Sequence, residues 1–133
     1  MLQALYQMQL ADCSAAEAER QFRQDYDMKR VDTEYFHDVL SGIERERVDI
    51  MSALDPLLGR ESKALDPVER AVLLIGAFEL LYRIDIPYRV VINESVELAR
   101  QFGAAESHRF VNSALDALAK QCRVVERSGS RNG

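Results

Sequence analysis

Pro87-Tyr88-Arg89-Val90-Val91-Ile92-Asn93-Glu94-Ser95-Val96-Glu97-Leu98-Ala99-Arg100-Gln101-Phe102-Gly103 divides cleanly on a helical wheel. At ~100° per residue, Val91, Ile92, Ser95, Val96, Leu98, Ala99 and Phe102 share one face, and Asn93, Glu94, Glu97, Arg100 and Gln101 share the other. Pro87 forces a break before the stretch and Gly103 supplies a left-handed stop after it, so the spacing predicts one amphipathic helix from about Tyr88 to Phe102. A helix apolar on one face needs neighbours to cover it.

Those neighbours are legible on both sides. Upstream, Asp66 offers an N-cap oxygen, Pro67 sits where a missing N–H costs nothing, and Glu69 occupies the first turn. From Val68 to Ile84 the helix they open is apolar almost all round, with Glu69, Gly76, Glu79 and Arg83 confined to one narrow stripe shared with Val72. Such a helix is central. Downstream, a last helix from about Ser107 to Gln121 buries Phe110, Val111, Ala114, Leu115 and Leu118. Ser14 with Glu17 reads as a capping box opening a helix to about Tyr26, and Asp32 can cap the next. Phe36, Val39, Leu40, Ile43, Ile50, Met51 and Leu54 mark one long helix that ends before Pro56, its outer face the solvated charge run Glu44-Arg45-Glu46-Arg47. Leu57 to Ala64 reads as a helical turn or two closing at Gly59 or Ser62. Leu2, Leu5 and Tyr6 show helical spacing with no cap before them, so the chain opens inside a helix. After Val125 the Ser/Gly/Arg/Asn tail has no apolar content, and residues 125–133 are expected to be disordered.

Composition bounds the rest. The chain has 133 residues, about one domain, and its 47% hydrophobic content suffices for an ordinary core. Cys13 and Cys122 have no partner at metal-ligand spacing; idle thiols of a cytoplasmic protein are the simpler reading, with a disulfide between them left open. No apolar run approaches the ~20 residues that span a bilayer, and no charged-then-apolar leader opens the sequence. The net charge is −5, and residues 1–59 hold 6 Lys+Arg against 12 Asp+Glu while residues 60–133 hold 11 against 10. Charge alone argues against a nucleic-acid partner, because phosphate contacts normally supply most of that affinity.

Enzymatic chemistry finds no foothold. His37 and His108 lack companions at a ligand spacing, Ser95 lies in no G-x-S-x-G elbow, and the acids Glu94 and Glu97 sit on a polar helix face. The glycines are scattered or in the tail and form no phosphate-binding loop, so neither metal nor cofactor is expected.

Function comes from resemblance. The stretch 87–103, followed by Ser107-His108-Arg109-Phe110-Val111-Asn112, resembles the signature of the NusB family of bacterial transcription antitermination factors. Gln3-Ala4-Leu5-Tyr6-Gln7, Tyr35-Phe36 and Val68-Glu69-Arg70-Ala71-Val72-Leu73 extend the likeness over nearly the whole chain. It implies an all-α fold of six to seven helices in two small packed helical bundles, residues 1–54 and 57–121, within one domain of residues 1–124. It implies binding of the boxA element of nascent ribosomal RNA together with NusE, a small-subunit ribosomal protein, and, through the other Nus factors, tethering to elongating RNA polymerase. Monomer, homodimer and heterodimer all stay open, as does the surface that would meet NusE. Family members usually carry an arginine-rich arm before the first helix, which this sequence lacks; either its start lies upstream or its grip on RNA is weaker.

The resemblance also assigns residues. Tyr6 would help hold RNA and Phe102 would contact a base, with Gln3, Glu69 and Glu106 lining the same region. Read alone, Tyr6 is core or half-buried, Phe102 belongs to the apolar arc, and Glu69 is explained by its place in a first turn. Arg60, Lys63 and Arg89 are phosphate contacts on charge grounds only. Two other readings compete. A NusB-like domain also opens some ribosomal RNA cytosine methyltransferases, but this sequence ends where a catalytic domain would begin. A helical interaction scaffold that has lost RNA binding suits the acidic charge.

Overall fold

Six α-helices carry the chain in the computed structural model, which describes residues 2–11, 13–25, 33–59, 65–124 and 126. They are α1 (Leu2–Ala11), α2 (Ala15–Asp25), α3 (Thr33–Leu54), α4 (Pro67–Tyr82), α5 (Tyr88–Phe102) and α6 (Ser107–Cys122), with a 3-10 turn at Asp55–Leu57 and no strand among the described residues. The fold is all-α, as the sequence predicts. Asp32, residues 60–64 and the tail at 125 and 127–133 lie outside the described residues, and with them the cap, turn and disorder read there.

Capping chemistry fixes the helix starts. Ser14 Oγ accepts the Glu17 N–H at 3.2 Å, and Asp66 Oδ1 accepts the Glu69 N–H at 2.9 Å with Pro67 in the first turn. Glu44 has a larger part than the solvated face expected for it: its Oε2 accepts the Ala15 N–H at 2.6 Å, pinning the start of α2 to the side of α3.

α4 is the central element, packed against α1, α3, α5 and α6. Ala71, Val72, Leu73, Leu74, Ala77, Phe78 and Leu80 are buried around its whole circumference. Even within the narrow polar stripe, Glu69 is only 8% exposed. An ideal Cβ at Gly76 would stand 2.6 Å from Leu115 Cδ1 and 2.8 Å from Ser95 Oγ, so the missing side chain is what lets α5 and α6 close on α4. Leu5 from α1 and Phe36, Leu40, Ile43 and Ile50 from α3 complete the core.

Three helix ends differ from the sequence reading. α4 stops at Tyr82 rather than Ile84, because Arg83 leaves helical geometry at φ −118°, ψ 67°. Gly103 is extended, φ −93°, ψ 177°, and not left-handed. What requires glycine there is space: a Cβ would lie 2.7 Å from the Ala99 carbonyl oxygen and 2.9 Å from Ser107 Cβ, across the corner joining α5 to α6. Among the described glycines only Gly59, one of the two closing positions read for its segment, is left-handed, at φ 69°.

The third end has no counterpart in the sequence reading. Arg123, just past α6 and 3% exposed, uses all five guanidinium N–H groups. Nε donates to the Leu80 carbonyl at 2.9 Å; Nη2 donates to the Glu79 and Arg83 carbonyls, both at 3.1 Å. Nη1 donates to the Ile86 carbonyl at 2.9 Å and to Glu126 Oε2 at 2.6 Å. The other Glu126 oxygen accepts the Tyr88 N–H at 2.7 Å, so α5, which lacks a side-chain cap of its own at Pro87, is capped from the far end of the chain.

Arg123→Ala is expected to cost about 3 kcal/mol, since it strips buried carbonyls of charged donors, and to lower Tm by roughly 10 °C in a calorimetric scan. Gly103→Ala is expected to cost about 1–3 kcal/mol through overpacking at the α5–α6 corner, read in the same scan.

Candidate nucleic-acid interface

The chain reverses between α4, α5 and α6, so the start of α4, the end of α5 and the start of α6 meet at one end of the bundle. A groove of about 470 Å³ opens there, lined by Leu58, Gly59, Glu69, Ala104, Glu106, Ser107 and Phe110. It brings together two of the acids singled out in the sequence. Glu69 is held by its first-turn position on α4, its backbone N–H bonded to Asp66. Glu106 precedes the first residue of α6, exposed and 3.3 Å from Arg109. That pair is open to water on both sides and adds little stability, leaving both charges available to a ligand.

Phe102 is 52% exposed at the last turn of α5. The wheel places it in the apolar arc; burial along that arc stops a turn earlier at Ala99, where α5 runs out from between its neighbours and the chain departs through the extended Gly103. An aromatic ring displayed at a helix end offers a face on which an unpaired base can stack. Tyr6 is 37% exposed on α1, one turn before Gln9, whose Nε2 donates to the Pro67 carbonyl at 3.0 Å. That bond fastens α1 beside the start of α4, the helix end that carries Glu69.

The remaining candidates stand as follows. Gln3 lies on α1, with its side chain outside the described set, and Arg60 and Lys63 lie outside the described residues. Arg89 stands at the opposite end of α5, about 20 Å along the axis from Phe102, and its Nε donates to the Tyr88 hydroxyl at 3.1 Å. Two cations overlooked in the sequence stand nearer this end of the bundle than Arg89: Arg100, exposed on the last turn of α5, and Arg109, exposed on the first turn of α6. Their signal was position, two residues before Phe102 and three after Glu106, where a count of net charge is blind.

No helix among the described residues is long and apolar enough to cross a membrane. Comparison with known proteins gives one consistent result. The profile of the NusB family matches residues 1–120. The "Transcription antitermination protein NusB" of Marinobacter nauticus is 46% identical over 125 residues, covering 94% of this chain and 79% of that protein. The protein of the same name from Alcanivorax borkumensis is 49% identical over 130 residues, covering 98% and 87%. A solved structure of T. maritima NusB superposes with a TM-score of 0.79 at 29% identity, over 90% of this chain and 84% of that one. By sequence and by fold, the chain belongs to the NusB family.

Proposed function

We propose that this chain is a transcription antitermination factor that binds single-stranded RNA at the end of the bundle formed by α4, α5 and α6. The observation that carries the reading is the exposure of Phe102 at the last turn of α5, two residues before Ala104, which lines the groove with Glu69 and Glu106. The ring stacks on a base, Tyr6 flanks it from α1, and Arg100 and Arg109 meet phosphates. The carboxylates of Glu69 and Glu106 cannot bind phosphate; they accept hydrogen bonds from base amino groups or from a basic partner.

By its family, the RNA is the boxA element of ribosomal transcripts, the protein partner is NusE, and the other Nus factors link both to RNA polymerase in the cytoplasm. The domain, residues 1–124, works by tethering. Holding RNA and polymerase together raises their effective concentration without any chemical step.

Fluorescence anisotropy of a labelled boxA RNA, with and without purified NusE and at two salt concentrations, tests this. Binding that weakens with salt and improves with NusE supports the reading; its absence at low salt, with NusE present, leaves the scaffold that the −5 charge favours. Phe102→Ala is expected to weaken RNA binding by about 5- to 150-fold, the worth of one stacked base, while the melt stays close to that of the parent because the ring is exposed. Arg100→Ala and Arg109→Ala are each expected to flatten the logarithmic salt dependence by about 0.7, the value for one phosphate of a single strand.

A further inference from the structure

A second concavity, of about 380 Å³, lies away from that groove, where α3, α4 and α5 meet. Its walls are mostly apolar, with Ile75, Ile86, Val90 and Leu98 among them, and Tyr35, Ser95, Glu79 and Glu94 are its polar and acidic members. Among the described residues no basic side chain lines it. Arg83 comes nearest, but its guanidinium stacks over the Tyr35 ring at 5.0 Å and its Nε pairs with Asp85 at 3.1 Å. The Tyr35 hydroxyl donates to Glu79 Oε2. Burial pushes the Glu79 carboxyl above its usual range and the charge on Glu94 adds to the push, against the hydrogen bond from Tyr35.

We propose that this cleft is a docking site for an arginine or lysine side chain of a protein partner, distinct from the RNA-facing end. Charge complementarity selects the occupant. A nucleic acid would bring phosphate against two carboxylates, and an apolar side chain would bury them uncompensated. A long basic side chain satisfies both parts, its methylene stem on Ile75, Ile86, Val90 and Leu98 and its head between Glu79 and Glu94. The exposed polar face of α5 continues the acidic surface through Glu97, in a shallow concavity shared with Glu94 and Gln101. Glu94 stands about 12 Å along α5 from Phe102, so RNA and this partner can be held at once on one helix.

The full chain, 15N-labelled, titrated with N-acetyl-arginine amide and followed by amide shifts, tests the site without RNA or NusE. Saturable shifts at Val91, Ser95 and Leu98 are expected, absent with the neutral N-acetyl-norleucine amide and lost in the E79Q/E94Q variant. The side-chain amide that E79Q introduces keeps an acceptor for Tyr35, so a melt no lower than that of the parent is expected and loss of binding is not loss of fold. Absence of shifts in the parent chain, or equal shifts in E79Q/E94Q, overturns the proposal. Shifts of the same amides on concentrating the chain alone overturn it too, by making a second copy the occupant.

Discussion

A single buried guanidinium holds three helix ends in register. The last carbonyls of any α-helix lack partners within the helix, and in the last turn of α4 Leu80 is buried against the rest of the bundle. Arg123 answers the Glu79 and Leu80 carbonyls of that turn together with those of Arg83 and Ile86 just beyond it, and places a full positive charge at the negative end of the α4 dipole. Its remaining N–H engages Glu126, which sets a negative charge at the positive end of α5. The same ion pair therefore complements two dipoles of opposite sense. The tight Arg83–Pro87 connection between α4 and α5 depends on it, for the backbone there bonds mainly to this side chain and to itself.

Rigidity at that end gives the opposite end its shape. Helices α4, α5 and α6 run 16, 15 and 16 residues, and clamping them at one end helps fix where their other ends emerge. The missing side chain at Gly76 sets how closely α5 and α6 approach α4, and the absent Cβ at Gly103 sets how sharply α5 turns into α6. Phe102 is thrust into water as a consequence. Had the α5–α6 corner been looser, the ring could have folded back onto the apolar arc to which its spacing belongs. Display of the aromatic is thus a property of the corner and the clamp rather than of Phe102 itself.

What could be read in the sequence was whatever depends on neighbours along the chain. The Asp66 cap, the Ser14 and Glu17 pairing, the break at Pro87 and the two faces of α5 are local, and each stands where spacing put it. Contacts between distant residues were out of reach. Nothing near Arg123 in the sequence announces that its partners lie some forty residues upstream, and nothing near Glu44 announces that it caps α2. Gly103 was assigned to the right place for the wrong cause, because a stop that needs φ > 0 and a stop that needs room are written with the same residue. Phe102 shows the limit most clearly: a helical wheel has no ends, and exposure here comes from being last. The family resemblance supplied its outward role from a different kind of information.

The acidic balance of the chain is less of an obstacle to RNA than its sum suggests. Charges on a protein surface are screened over about 8–10 Å at ordinary ionic strength, so acids farther than that from Phe102 act weakly on a ligand stacked there. The local balance decides. Around Phe102 the described cations Arg100 and Arg109 stand against Glu106 and the largely covered Glu69, close to parity. Parity supplies little of the salt-sensitive attraction that dominates most protein–RNA contacts. Stacking and base-edge hydrogen bonds then carry a larger share, and both are short-ranged and geometric. On the proposed function, a site of this kind trades raw affinity for dependence on the base in front of it, and a tether draws the rest of its strength from partners bound beside it.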